Sequence, residues 1–516
     1  MRLKLDRSQL HQLHLDKSFV NGSDEKAHLP QVRYTERILQ LGDGIFLRGF
    51  VDWLVHQLNE RGSYRGQVVV VKPRRGNPER VERFNAQDGC FTVWVRGMED
   101  GQAVSRKEIV ESVSRVLNPY DEWEAFLACA QRPEMDIFVS NTTEAGLTYT
   151  AEPRPDGCCP ESFPAKLTAY LYSRYQAFAG DPNRGIDVVP CELVEDNGTK
   201  LRSFVLRHIA DWRLPQEFAD WVNNDNAFYN TLVDSIVTSF SNIDKGILAR
   251  EFPYEDEFGV VREPFYLWVI DGPERLSAKW NFAEAGLNVK FVPDVAPFRL
   301  MKVRILNGAH TAMAGLSLLS QIETVKEAVT HPVIGTFVRR LVDEEVLPTL
   351  SPYNVPLAEA AGFAASVMER FSNPYLHHEV SSLQLNALSK IKARLLPTLY
   401  DEMERAKTIP PLMAMALAGQ LLFYRNADEP DKRWEMKDDP AHVQLVASAW
   451  AYEGQPGNEL GRDNDGLQRA VTALLSLSEV WGDNLSTIDG LVQVVVEDIR
   501  QIRRLGVIGA LSELLS

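Results

Sequence analysis

Lys302, Asn307 and His310 place a cation, an amide and an imidazole within the short run Lys-Val-Arg-Ile-Leu-Asn-Gly-Ala-His, with apolar side chains in most of the gaps. On a regular α-helix, about 100° per residue sets Asn307 about 60° from His310 and Lys302 about 80° beyond it. The three polar tips then face one pocket, while Val303 and Leu306 turn elsewhere. A lysine able to lose its proton, beside an amide donor and an imidazole, suits proton transfer to or from an alcohol oxygen. By spacing alone the run also fits a helix start with a solvated lysine, an Asn-Gly turn and a satisfied histidine.

A second group lies near the start of the chain. Gly42-Asp43-Gly44 separates a short predicted strand at 37–41 from Phe46, Phe50, Trp53, Leu54 and Leu58, which recur at helical spacing up to Gly62. Glycines between a strand and a helix let backbone N–H groups approach a pyrophosphate at the positive end of the helix. Phe46 and Arg48 follow in the first turns, and Leu47 stands where the usual fingerprint has its third glycine. Four valines at 68–71 complete a βαβ unit. At the end of that strand an NAD-binding unit usually carries an acid for the ribose hydroxyls. Here the residues are Lys72-Pro73-Arg74-Arg75, which suit the extra phosphate of NADP or a solvated loop. The cofactor expected is NAD, with the choice against NADP left open by these residues.

The elements that must position these groups follow from the hydrophobic pattern. Strands are predicted at 91–95, 137–140, 186–189 and 266–270, with helices around 123–129 and 164–178. That alternation predicts a Rossmann-like α/β domain, a mostly parallel sheet with helices on both faces. Polar clusters follow three strand signals: Asn141, Thr142 and Glu144; Cys191, Glu192 and Leu193; and Asp234. Each also fits a cap or a turn. After about Phe298 strand signals nearly vanish, and long amphipathic stretches at 334–346, 357–371, 382–396 and 411–424 predict an all-α C-terminal domain. The expected division is an extension over 1–30 packed on the body, an α/β domain over 31–298 and a helical domain over 299–516.

A length of 516 residues requires more than one core. Net charge −16 opposes broad binding to phosphate backbones or anionic membranes, so no nucleic-acid or membrane partner is expected. No run approaches a membrane span, and the N-terminus lacks the apolar core of a signal peptide, which makes a cytoplasmic location the default expectation. Five cysteines, widely spaced, suggest no disulfide framework. Adjacent Cys158-Cys159 suits a metal or an oxidant response less well than a reduced surface pair. No motif with zinc spacing occurs, and no metal is expected. Oligomeric state is not legible.

Lys302-x4-Asn307-x2-His310 resembles the pattern of the zinc-independent, long-chain polyol dehydrogenases, the mannitol dehydrogenase family. Wider segments are similar to one branch, which interconverts tagaturonate and altronate: Leu41 to Trp53, Ser140 to Gly146, Pro190 to Leu193, Lys302 to Ala312 and Arg370 to His378. The similarity runs from about residue 35 to 425. It implies hydride transfer between nicotinamide and a secondary carbinol, without metal, at a site between the two domains. It casts Lys302 as general acid in reduction and base in oxidation, Asn307 as donor to the carbonyl oxygen and His310 as orienting group. Burial would lower the lysine pKa toward neutrality and make that role workable.

Two departures stand out. The family's second asparagine, after Cys-Asp, corresponds to Leu193 after Cys191-Glu192, and its Val-Asp-Arg segment reads Val233-Asp234-Ser235. An acid sugar needs a cation for its carboxylate, and Arg370 and His378 are the candidates, with Glu192 a further substrate contact. Lys166 is a weaker candidate. Rival readings are the same chemistry on fructuronate/mannonate or a neutral polyol, and a nucleotide-binding protein without catalysis.

Overall fold

The computed structural model describes residues 3–6, 33–426, 436–454 and 465–516. Two compact units result, Met1–Val295 and Ala296–Ser516. Of the expected N-terminal extension, Leu3–Lys4 pairs in parallel with Tyr254–Glu255 and Leu5 is buried. Most of the rest of 1–30 lies outside the described residues.

The first unit is built on a six-stranded sheet, parallel throughout, in the order Val113–Leu117, Gly66–Val71, Thr35–Leu41, Ile137–Ser140, Asp187–Pro190, Ala227–Phe228. Numbered along the chain this is 3-2-1-4-5-6, the doubly wound arrangement of dinucleotide-binding folds. Successive strand residues face opposite cores, as a two-residue repeat requires. Ile38, Val68, Val70 and Val139 join Phe50, Leu54 and Leu58 of the first helix on one side. Leu39, Val69, Val71 and Phe138 meet the helices Trp123–Ala130, Phe163–Ala177 and Asn197–Asp211 on the other. The valine strand is buried along its whole length because it sits between two covered faces.

Two expected strands belong elsewhere. Phe91–Glu99 forms an antiparallel hairpin with Gln102–Val110 in a four-stranded sheet, and Leu267–Asp271 lies in a three-stranded one with Asn230–Asp234 and Val289–Val292. Buried periodicity identifies a strand but not its partner. The hairpin does carry a local signal, since Asp100 and Gly101 both adopt positive φ, as a two-residue turn of primed type needs.

Among the described residues the second unit is helical, apart from an isolated bridge between Thr324 and Glu379. Its centre pairs Gly308–Leu319 with Pro411–Asn426. The two helices approach closely at glycines: a Cβ on Gly315 would stand 3.0 Å from the Gly419 carbonyl oxygen. Leu357–Phe371 has the predicted bounds. The stretch 382–396 is broken rather than continuous: Val380–Leu383, Ala387–Arg394 and Leu396–Ala406 are separate helices, with Asn386 left-handed at one break and Pro397 just after the other. The stretch 334–346 is likewise two pieces, Pro332–Arg340 and a π-helical turn, Leu341–Val346.

Candidate active site

The first strand and the strand Ile137–Ser140 pair directly, and chain order reverses between them, so their carboxyl ends form the switch point where doubly wound sheets hold ligands. Gly42 sits there. Its N–H donates to the Val71 carbonyl at 2.9 Å, and its φ of +145° is one that side-chain-bearing residues avoid. A Cβ on it would lie 2.9 Å from the Asn141 carbonyl oxygen and 2.8 Å from a Leu47 methyl. Gly44 differs: a Cβ there would meet nothing within 4 Å. Chain can therefore be approached closely at Gly44, just before the helix that starts at Ile45 and whose first N–H groups lack helical acceptors. These features fit a dinucleotide pyrophosphate. The close-packing role of a third glycine falls to Gly49, where a Cβ would press on Val237 at 2.6 Å, while Leu47 is buried.

Arg48 is turned inward. It is 4% exposed and donates to the Asp43 carbonyl at 2.7 Å and the Phe258 carbonyl at 3.0 Å, so it steadies the glycine turn. Burial, with Arg80 nearby, lowers its pKa to about 10. The helix passes through a π-helical turn, Arg48–Asp52, and Phe46 stacks on Phe50 with ring centroids 4.9 Å apart.

Across the switch point, Asn141 is half-buried and donates to the Cys191 carbonyl at 3.3 Å. Thr142 and Glu192 form one buried brace. The Glu192 carboxylate accepts from the Thr142 N–H at 2.8 Å, the Thr142 hydroxyl at 3.1 Å and the Ser140 hydroxyl at 3.0 Å. Burial pushes the Glu192 pKa up. Its oxygens hold two strand ends together instead of facing a ligand. Thr143, between them and the exposed Glu144, has φ +79°, a costly value for a β-branched residue and therefore one held by its surroundings. Leu193 is 59% exposed, so the position matching the family's asparagine offers an apolar side chain to the surface. Asp234 is buried at the end of Asn230–Asp234, opposite Leu267. Ser235 donates to the Phe265 carbonyl at 3.0 Å. Lys166 is fully buried and donates to the Glu161 carbonyl at 2.7 Å and the Tyr120 hydroxyl at 3.1 Å, a structural placement. Cys158 is exposed and Cys159 is buried, its thiol pushed up to about 12 by burial.

In the second unit, Lys302–Asn307 is a π-helical turn joining Ala296–Met301 to Gly308–Leu319. Its bonding is of the i→i+5 kind, as in the Gly308 N–H to the Val303 carbonyl. The regular helix assumed from the sequence sets Lys302 and Asn307 on opposite flanks of His310. In a five-residue turn they become successive positions on one side. Both are half-buried. π-turns inside α-helices concentrate at functional sites.

His310 follows one turn later. Its ring stacks on Phe371, centroids 4.1 Å apart, and meets His378 edge-on at 5.2 Å. Its Nε2 is enclosed with no hydrogen-bond partner among the described residues. Burial first, then His378, Arg394, Arg370 and Lys390, holds its pKa well below the usual histidine value. His310 is therefore a neutral imidazole with the cations Arg370, Lys390 and Arg394 around it, while burial lowers the His378 pKa as well. Arg370 is buried on the last turn of Leu357–Phe371, and His378 is half-buried with its carbonyl accepting from Val325 N–H at 2.9 Å. Arg394 donates to the Thr311 hydroxyl at 3.3 Å, and Lys390 donates to the Leu383 carbonyl at 3.0 Å. Sequence reasoning missed these last two. The signal was their four-residue spacing on one amphipathic helix, which puts them on one face.

The sequence of residues 36–283 matches the mannitol dehydrogenase Rossmann domain, and that of 294–503 the mannitol dehydrogenase C-terminal domain. Over 483 residues the chain is 40% identical to the altronate oxidoreductase of Bacillus subtilis (strain 168), covering 93% of this chain and 95% of that protein. It is 39% identical to the altronate oxidoreductase of Klebsiella pneumoniae (strain 342), covering 94% and 98%. In fold it resembles a crystal structure of D-sorbitol dehydrogenase (TM-score 0.74, 21% identity, 93% and 95% of the two chains). It also resembles mannitol 2-dehydrogenase of Pseudomonas fluorescens in a complex with NAD and D-mannitol (TM-score 0.65, 22% identity, 99% of each chain).

Proposed function

The chain belongs to the mannitol dehydrogenase family, and from that premise we propose that it is a nicotinamide-dependent oxidoreductase interconverting D-tagaturonate and D-altronate. The observation that carries the substrate assignment is the set of cations around His310, namely Arg370, Lys390 and Arg394, with the His378 ring edge-on beside it. A neutral polyol has no use for such a concentration of positive charge, whereas a uronate carboxylate does.

A dinucleotide, in the first instance NAD(H), held at the Gly42–Gly44 turn would supply or accept the hydride at the carbinol carbon. Lys302 gives a proton to the substrate oxygen in reduction and takes it back in oxidation. Asn307, aligned with Lys302 by the π-turn, donates its amide N–H to the same oxygen and stabilises the developing alkoxide. His310, uncharged and held flat by Phe371, orients the substrate. Arg370, with His378 beside His310, holds the carboxylate.

The experiment is nicotinamide absorbance at 340 nm with purified protein, NADH or NADPH, and a panel of tagaturonate, fructuronate and neutral ketoses. Turnover preferring tagaturonate supports the assignment. Equal or better turnover of fructose would remove the role given to the cations, and preference for fructuronate would move the substrate while keeping the chemistry.

A further inference from the structure

The geometry points to a 2′-phosphate site at the end of the strand Gly66–Val71, so that the chain takes NADP(H) as well as NAD(H); this rests on the dinucleotide reading above. In a doubly wound fold, a dinucleotide seated on the first glycine turn extends its adenosine ribose to the end of the second strand. Here Leu41 pairs in register with Val71, and the bond from Gly42 N–H to the Val71 carbonyl ties the two strand ends together. Residue 72 is thus the first one beyond the glycine turn's own neighbour.

That residue is Lys72. Its N–H donates to the Leu117 carbonyl at 3.0 Å, and the residue is 7% exposed. The ammonium curls back under the loop: a Cβ on Gly76 would stand 2.6 Å from Nζ. The absence of a side chain at 76 leaves room for the charge to sit there. Arg74 is exposed on the same loop. Arg75 is committed elsewhere, pairing with Glu161 at 3.2 Å and lying over the Tyr120 ring at 4.8 Å. Glu161 in turn accepts from the Tyr120 hydroxyl at 3.1 Å.

No carboxylate occurs between Lys72 and Asn77. Ribose hydroxyls recognised by NAD-selective sites donate to an acid, and neither an ammonium nor a guanidinium can accept a hydrogen bond. Both donate strongly to phosphate oxygens, Arg74 with a planar fork. The strand end therefore matches a phosphomonoester better than a bare diol, with Lys72 as the enclosed charge and Arg74 as the exposed clasp.

The test is equilibrium binding by calorimetry, without any sugar, of 5′-AMP against adenosine 2′,5′-bisphosphate, and of NADH against NADPH. The wild-type chain is expected to bind the bisphosphate about tenfold tighter than 5′-AMP, the scale of one charge-assisted contact. Arg74→Glu, at an exposed position, is expected to abolish that gain and leave 5′-AMP affinity unchanged. A bisphosphate that binds no tighter than 5′-AMP overturns the proposal, as does an Arg74→Glu variant that weakens both ligands equally. Loss of the tagaturonate assignment would leave these measurements unaffected. Failure of every nucleotide to bind would remove the dinucleotide reading and this site together.

Discussion

The imidazole of His310 lies flat on the ring of Phe371, with planes 21° from parallel. Phe371 closes the helix that also carries Arg370, so one helix end supplies both the support for the imidazole and a cation beside it. Stacking of this kind contributes about 0.5–1.5 kcal/mol and, more to the point, fixes ring orientation. Phe371→Leu is expected to lower kcat/KM for the keto-uronate by about 3- to 10-fold, the same energy read as a rate. Thermal unfolding would report whether the loss is instead one of fold.

Lys302 and Asn307 are expected to fail differently. Lys302→Ala should reduce turnover by roughly 10²- to 10⁴-fold, the range for a lost general acid. Asn307→Ala should cost about 10²- to 10³-fold, as for a missing oxyanion donor. NADH binding by calorimetry should stay at the wild-type level in both. Near-normal turnover in Lys302→Ala would transfer the proton to some other group.

Arg370→Ala is expected to raise KM for tagaturonate by roughly 10- to 100-fold, the scale of a lost charged contact, with a smaller change for a neutral ketose. Steady-state kinetics on the two substrates decides it. A parallel fall for both would make Arg370 a structural residue.

The two glycines of the turn should separate fold from binding. Gly42→Ala forces a side chain into a φ of +145° and against Asn141, so loss of melting temperature is expected. Gly44→Val has open space around its Cβ, so melting should change little while NADH affinity falls. Calorimetry beside a thermal melt distinguishes the two.

His56 and Asp52 predict opposite pH slopes from neighbouring turns of one helix. Burial lowers the His56 pKa from 6.5 to about 4, so the unfolded chain binds the extra proton and stability falls as pH drops through that window. The full effect is about 3 kcal/mol. Burial raises Asp52 from 3.8 to about 7, so the folded chain keeps a proton the unfolded chain has released, and stability falls as pH rises from about 4 to 7. In urea melts across pH 4.5–7, His56→Gln should lessen the acid-side loss. Asp52→Asn should raise stability most near pH 7.

The sequence by itself determined what is local. The strand, glycine turn and helix at 35–60, the buried valine strand and the change to helices after residue 298 all follow from short-range periodicity and residue chemistry. Tertiary structure decided the rest. Which sheet takes Phe91–Glu99 depends on pairing with Gln102–Val110 and Val260–Arg262, which no period within the strand encodes. The π-turn at Lys302–Asn307 adds one residue to a helical turn and leaves hydrophobic spacing nearly intact, so only the backbone bonding reveals it. Glu192 reads as a strand-end cap, a turn residue or a substrate contact and is instead a buried brace, because Ser140 and Thr142 arrive from the adjacent strand. Lys390 and Arg394 come to His310 only through a helix some 80 residues further along the chain. A charge field is a sum over space, and sequence spacing reports only the part of it that a single element contains.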